Sequence, residues 1–274
     1  MARHEVCEPR PDQRRVHGVA SVGGLREALF AHKRCGGSWS CCRGVRLGGV
    51  TAVDVLDREM YSEAEAARLL RVAQGTLHYW LEGGTQRGRT YKPIIRLAPT
   101  GARSVTWAEF VEAALLREYR RTHRVPMAEL RQFIDLLRDH YGVPYPLAHH
   151  QPFVSGRQLV YEAQEGAGLA PEFCLVAAVS GQYVLTAPSA LYLERVTWTD
   201  DVAAAWRPHD DPGSPVLVDP EVRFGRPSVR GVSTEVLWEH ADSGEGTREL
   251  AEAFDLTVSD IQWALAYENA QRAA

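Results

Sequence analysis

No stretch of the 274 residues approaches the ~18 consecutive apolar positions that a bilayer-spanning helix requires. The first residues also lack a secretory-type apolar core, because Arg3, Arg10, Arg14 and Arg15 interrupt it. These absences point to a cytoplasmic protein with no membrane association. Cysteine is confined mostly to the start: Cys7, Cys35, Cys41 and Cys42 precede a single later residue, Cys174, and no pair has CxxC spacing. A zinc knuckle that borrows His32 is one reading, but the spacing matches no common zinc pattern; reduced thiols without structural duty are the plainer one. Enzyme signatures are missing too. There is no glycine-rich phosphate loop, no HExxH, no nucleophile elbow and no Cys–His arrangement at a helix start. Asp200-Asp201 and Asp210-Asp211 sit in linker-like sequence without a partner base and read as solvated loop charge or helix caps. The expectation is a non-enzyme without cofactor or metal.

What remains is ordinary globular material, 45% hydrophobic with a formal charge of −4, long enough for two or three small domains. The pattern predicts a mainly α protein with small β elements. Residues 1–57 stand apart: "HKRCGGSWSCCRGVRLGGV" has no sustained apolar period, so a disordered leader is expected, or an upstream extension of a natural start near Met60.

Residues 58–150 carry the first organised pattern. In "YSEAEAARLLRVAQGTLHYWLEGG", Ser62 precedes Glu65 by three residues, a capping-box spacing. Ala66, Leu69 and Leu70 give the helix one apolar face. After a short break Thr76 is expected to cap a second helix that turns Leu77, Trp80 and Leu81 inward and ends at Gly83-Gly84. Two short helices joined by a tight turn form a helix-turn-helix, and Gln74, Thr76, His78 and Tyr79 would face bases from the second helix. "TQRGRTYKPIIRLAPTGARSVTW" reads as a hairpin or wing, with Arg87, Arg89 and Lys92 placed to meet phosphates. Thr106 and Glu109 open a further capped helix, to about Arg121. Pro126 starts the next, whose Leu130, Phe133, Ile134 and Leu137 form a helical stripe up to Gly142. Between residues 86 and 124 nine basic residues face three acidic ones. They read as a phosphate-binding surface, or as a solvated face with i,i+4 pairing.

This order of elements resembles the MerR-type winged helix-turn-helix family over about residues 60–148. The resemblance implies operator binding by a homodimer. No long dimerisation helix follows, so effector sensing is not implied.

Residues 151–212 predict a β-rich connector: "RQLVYEA", "FCLVAAV", "QYVLTA" and "LYLERVTW" are strand-like runs, with a turn at Ser180-Gly181. "RPHDDPGSP" at 207–215 reads as a linker. Residues 213–274 predict a three-helix unit with a second helix-turn-helix-like break at "DLT". In it Val236 and Leu237 start one apolar face, Leu250, Ala251, Phe254, Ile261, Ala264 and Leu265 face inward, and Thr257 caps the last helix with Asp260.

Ahead of those helices stands "RFGRPSVRG", with Arg223, Arg226 and Arg230. Asp219-Pro220, Gly225, Pro227, Arg230-Gly231, Leu256-Thr257, Asp260-Ile261 and "ALAY" at 264–267 resemble a small bacterial domain found in VapB-type antitoxins, which pair with PIN-domain toxins. That family usually has Thr-Arg after the second glycine, where this chain has Val232-Ser233, so any role of that arginine is absent or falls to Arg223 or Arg226. The resemblance implies that the three arginines form an arm against the metal-binding acids of a PIN-domain ribonuclease. The alternative is that Arg230 only ties the turn to Glu235 or Glu239. Residues 200–274 hold six basic and fifteen acidic residues, which favours a protein partner over DNA for this half. An antitoxin that silences a PIN-domain ribonuclease and binds its own operator DNA is the reading. A stand-alone MerR-like transcriptional regulator is the alternative.

Overall fold

The computed structural model describes residues 55–86, 88–118, 127–169, 174–179 and 182–273. The leader, its cysteines, Arg87, Arg120, Arg121, Arg124 and Pro126 lie outside them. Among the described residues the chain is mainly helical with small antiparallel sheets, and no helix is long and apolar enough to cross a membrane.

Strand β1 (Glu59–Ser62) pairs antiparallel with β4 (Ser104–Thr106), and Tyr61 faces Val105 in that register. Helix α1 (Glu63–Leu69) starts directly from β1, with the Ser62 hydroxyl accepting the Glu65 N–H at 3.2 Å. Helix α2 (Gln74–Glu82) begins earlier than the sequence predicts: Ala73, not Thr76, is its N-cap, and the Thr76 N–H already donates back to the Ala73 carbonyl at 2.9 Å. The turn from α1 closes through Arg71 at φ 51 and leaves no room for a longer break. Gly83 ends α2 at φ 73, where an L-residue is disfavoured and a Cβ would press on the backbone of Lys92 and Pro93.

A hairpin follows, β2 (Gly84–Gln86) against β3 (Arg89–Tyr91), with Gly88 in its turn. The expected strand through "YKPIIRL" stops at Tyr91. Pro93 has no N–H to continue a ladder, and the Ile94 and Ile95 amides both donate to the Trp80 carbonyl, at 2.9 and 3.0 Å. Helix α3 (Trp107–Glu118) carries the capping box read from Thr106 and Glu109, with reciprocal bonds of 3.3 and 3.0 Å. Helix α4 (Met127–Tyr141) buries Leu130, Phe133, Ile134 and Leu137 and ends at Gly142.

Residues 151–212 depart most from expectation. "RQLVYEA" lies in helix α6 (Arg157–Ala167), after the short α5 (Gln151–Val154). The first half of "LYLERVTW" belongs to α7 (Ala187–Arg195). Among the described residues of this segment only β5 (Val176–Val179) with β6 (Gln182–Leu185), and β7 (Val196–Thr199) with β8 (Val202–Trp206), are strands. The reason lies in Gln164 of α6, fully buried. Its amide accepts the Leu175 and Val176 N–H groups at 2.7 and 2.9 Å and donates to the Val176 carbonyl at 2.9 Å. The edge of β5 is thus satisfied by a helix side chain, and tertiary contact overrides β propensity. The segment read as a linker at 207–215 is fastened: the Arg195 guanidinium bonds the Pro208 and Arg207 carbonyls and pairs with Asp210 at 2.6 Å.

Most of these elements share one core around Trp107, Phe110, Phe153 and Trp206. The Trp107 indole donates to the Ala203 carbonyl at 2.6 Å, and Phe110 stands edge-on to Trp206 at 5.5 Å. A second, smaller core serves the last sixty residues. It comprises Val216, Val229, Leu237, Leu250, Ala251, Ile261, Ala264 and Tyr267. There β9 (Val216–Leu217), β10 (Ser228–Val229) and β11 (Val232–Ser233) form a three-stranded sheet in the order β11-β10-β9. It is followed by α8 (Thr234–Asp242), α9 (Thr247–Ala253) and α10 (Val258–Arg272). Thr257 and Asp260 cap α10 reciprocally at 3.0 and 3.1 Å.

Glu112 on α3 is fully buried. It accepts the Leu147 N–H at 3.0 Å and stands 3.8 Å from Arg138, while its second oxygen has no hydrogen bond. Burial pushes its carboxyl from 4.5 up to about 7, against the pull of Arg138. Between those two values the folded chain holds a proton that the unfolded chain has lost, so this group's contribution falls as pH rises through about 7. Glu112→Gln is expected to melt close to the wild type near pH ~5 and above it near pH ~8. A melting series across that range checks this; a variant less stable at the alkaline end would show that pairing with Arg138 outweighs desolvation.

Candidate nucleic-acid interface and partner arm

Two surfaces collect the residues singled out in the sequence. The first is built on α2 and the β2–β3 hairpin. Leu77, Trp80 and Leu81 bury one side of α2, which leaves Gln74 and Thr76 exposed on the other. His78 and Tyr79 are half-buried and have partners within the chain. The His78 Nδ1 lies 2.9 Å from an oxygen of Glu63, a nearly fully buried carboxylate that also pairs with Arg103 at 3.1 Å. The Tyr79 hydroxyl accepts from Arg131 at 2.7 Å.

Arg131 was not singled out by the sequence. Its guanidinium lies 5.3 Å from the ring centres of both Tyr79 and Tyr91, and its Nε–H donates to the Lys92 carbonyl at 3.0 Å. One side chain of α4 thus fixes the hairpin base to α2. No spacing links position 131 to position 79. Only its place beside the α4 stripe, with its head free to reach sideways, could have hinted at it.

The basic cluster thins out on inspection. Arg89 and Lys92 are exposed, and Arg103 is 75% exposed despite its pairing with Glu63. Arg96 is removed from any phosphate surface: it is 4% exposed and buried among acids and carbonyls. It binds Glu109 at 2.7 and 3.1 Å and the Ser104 carbonyl at 2.7 Å, and it also pairs with Glu82. A buried guanidinium needs this many acceptors to offset its lost hydration. Arg117 is largely buried beside Glu118 at 3.5 Å.

The second surface is the arginine-rich turn. Arg223, Phe224 and Gly225 adopt φ 52, 55 and 71 in succession, a left-handed run. Arg230 and Gly231, at φ 48 and 83, make the tight turn between β10 and β11. The loop is held by its backbone. The Tyr61 hydroxyl donates to the Gly225 carbonyl at 2.6 Å, and Arg58 donates to the Pro220 carbonyl at 3.0 Å and pairs with Glu221 at 2.9 Å. Arg223 donates through Nε to the Gly231 carbonyl at 2.8 Å. Arg226 stands 3.8 Å from Glu235, and Arg230 is 3.2 Å from Asp260, both with more than half of the side chain in water. Arg230 does tie the turn to an acidic helix, but to α10 rather than to Glu235 or Glu239.

Among the described residues no group of three or more His, Cys, Asp or Glu could hold a metal ion.

The family described as "Protein of unknown function (DUF433)" matches residues 216–267, which begin at β9 and end within α10. The chain is 33% identical over 232 residues to the "Uncharacterized protein Rv2308" of Mycobacterium tuberculosis, covering 82% of this chain and 96% of that one. It is 29% identical over 194 residues to the protein named "Putative antitoxin VapB45" of the same organism, covering 66% and 80%. Among solved structures it is similar to the crystal structure of Rv2018 from Mycobacterium tuberculosis, with a TM-score of 0.63, 26% identity, and coverage of 77% of this chain and 99% of that one.

Arg131→Ala is expected to free the hairpin from α2 and cost about 1 kcal/mol, read as a lower urea midpoint. Arg131→Lys should recover little, because an ammonium cannot lie flat between two rings while bonding a carbonyl. Full recovery by lysine would mean that charge alone acts here.

Proposed function

The chain belongs to the same family as Rv2308, and from that premise we propose that it is the antitoxin of a toxin–antitoxin pair. The relative named VapB45 supports the toxin–antitoxin setting. The observation that carries the reading to residues is the clamped turn, which displays Arg223, Arg226 and Arg230 at the head of the DUF433 segment. In this reading the partner is a PIN-domain ribonuclease, and the arginines address its metal-binding carboxylates. Guanidinium suits that task because its planar donors match carboxylates two at a time.

The same chain would bind its operator through α1 and α2 acting as a helix-turn-helix, with Gln74 and Thr76 at base edges and Arg89 and Lys92 on phosphates. The β2–β3 hairpin would be its wing, in the manner of the MerR type. Palindromic operators would then call for a homodimer. The exposure of Gln74, Thr76, Arg89 and Lys92 on adjoining elements supports this. The alternative, a stand-alone MerR-like regulator, keeps the DNA half and gives the tail another duty.

Co-expression with the toxin-sized protein encoded beside it, followed by pull-down and a ribonuclease assay, tests the antitoxin reading. A complex that silences the nuclease is expected; operator binding without a complex would favour the regulator. Replacing Arg87 and Arg89 by alanine is expected to flatten the salt dependence of DNA binding by up to ~2 units of slope. An unchanged slope would remove the hairpin from the interface. Arg226→Ala with Arg230→Ala is expected to weaken the partner complex and leave DNA affinity intact.

A further inference from the structure

Phe224 is 88% exposed, the most exposed of the large apolar side chains among the described residues. Nothing in the fold rewards that ring. Its backbone sits at φ 55, between Arg223 at φ 52 and Gly225 at φ 71, in a region that a β-carbon disfavours. Glycine would suit position 224 better on both counts. Yet the loop under it is held through its backbone. Its carbonyl at Gly225 is bonded by the buried Tyr61 hydroxyl at 2.6 Å, the Gly225 N–H returns to the Val222 carbonyl at 3.0 Å, and the Arg226 N–H returns to Arg223 at 3.1 Å. An added Cβ at Gly225 would run into Tyr61 and the Met60 methyl, so the loop backbone packs directly on both. A strained backbone that a close-packed anchor holds in place, with an aromatic ring aimed at water, is the geometry of a preformed contact point.

The surroundings define what it contacts. Arg223 and Arg226 flank the ring in sequence, Arg230 lies in the hairpin turn whose Gly231 carbonyl Arg223 bonds, and all three are exposed. An exposed ring on an arginine-bearing turn fits an apolar pocket bordered by carboxylates. Single-stranded RNA, which also combines flat rings with negative charge, is opposed by the six basic against fifteen acidic residues of this half. We propose that Phe224 is the anchor of the partner interface, a rigid knob that enters an apolar pocket edged by carboxylates on the toxin. This rests on the antitoxin reading and assigns the affinity to the ring and the orientation to the arginines.

The test measures affinity between the full chain and the toxin-sized protein encoded beside it, together with melting of the free chain, for the wild type, Phe224→Gly, Phe224→Ala and Phe224→Trp. Glycine and alanine are expected to weaken the complex about 30-fold or more, while tryptophan stays within about threefold. Phe224→Gly should melt at or above the wild type, because glycine relieves the left-handed backbone. A merely structural role would instead lower melting and affinity together, and that result would overturn the proposal. So would glycine or alanine variants that bind within about twofold of the wild type. Loss of self-association, or of affinity for a single-stranded RNA oligomer, with the partner complex intact would place the ring elsewhere and overturn it too. Absence of any wild-type complex would overturn the antitoxin reading with it, whereas a tight complex indifferent to Phe224 would remove only the anchor.

Discussion

The buried bond from the Tyr61 hydroxyl to the Gly225 carbonyl joins the larger core to the C-terminal unit. Tyr61 belongs to β1 and lies against Phe110 of the main core at 4.9 Å, so its ring is fixed. Burial drives its hydroxyl well above the ordinary tyrosine value, and it remains a donor throughout the accessible pH range. Gly225 has no side chain to yield, and it sits at φ 71, which other residues disfavour. Two further ties join the same halves: Arg58 to Pro220 and Glu221, and the bridge between Trp206 and Val218. The small C-terminal core has only eight buried apolar residues, a modest source of stability by itself. Docking onto the larger core gives its first loop a rigidity that its own packing could not supply.

That rigidity gives the acidic neighbours of the arginines a particular meaning. Arg226 and Arg230 already have carboxylates beside them, in Glu235 and Asp260. Exposed pairs of this kind contribute little to stability, on the order of 0–1 kcal/mol. A partner's carboxylate would therefore exchange one weak pairing for another, and the net gain in affinity from charge would be small. Charge would chiefly set approach rate and orientation. An interface built on this turn needs a separate source of affinity, and the exposed ring is the apolar surface within reach.

Legibility followed the range of the interaction. Ser62 with Glu65, Thr106 with Glu109 and Thr257 with Asp260 are contacts across three residues, and each was readable as a pattern. The stripe of α4 was readable for the same reason. Residues 157–167 were not, because the case for a helix rests on Gln164 reaching the backbone of a strand that the sequence places eleven or twelve residues later. Arg96 was read as surface charge because its five partners are scattered from Glu82 to Glu109 and become one cage only after folding. The turn at 223–225 was recognisable as irregular from its glycine and proline, but a positive φ at Arg223 and Phe224 has no signature in residue type. Sequence reasoning weighed the arginines there and passed over the phenylalanine.

The same constraint bears on how the two proposed activities share one chain. Tyr61 holds the loop proposed to face the partner, and Ser62, its neighbour, is the N-cap of α1. The next residue, Glu63, reaches from the start of α1 to His78 on α2 and to Arg103 behind β4. Three consecutive residues therefore connect the arginine turn to the helix proposed to read DNA, without a flexible joint between them. A partner that pulled the loop away from Tyr61 would draw on the N-terminus of α1, while one that bound the loop as it stands would leave α2 untouched. Coupling between sites requires that each ligand favour one of two arrangements. The left-handed turn is already in its strained form in the free chain, so binding need not move it. On these grounds the partner and DNA surfaces are expected to work independently on a common rigid frame, with assembly on the operator governed by how many copies are present rather than by a change of shape.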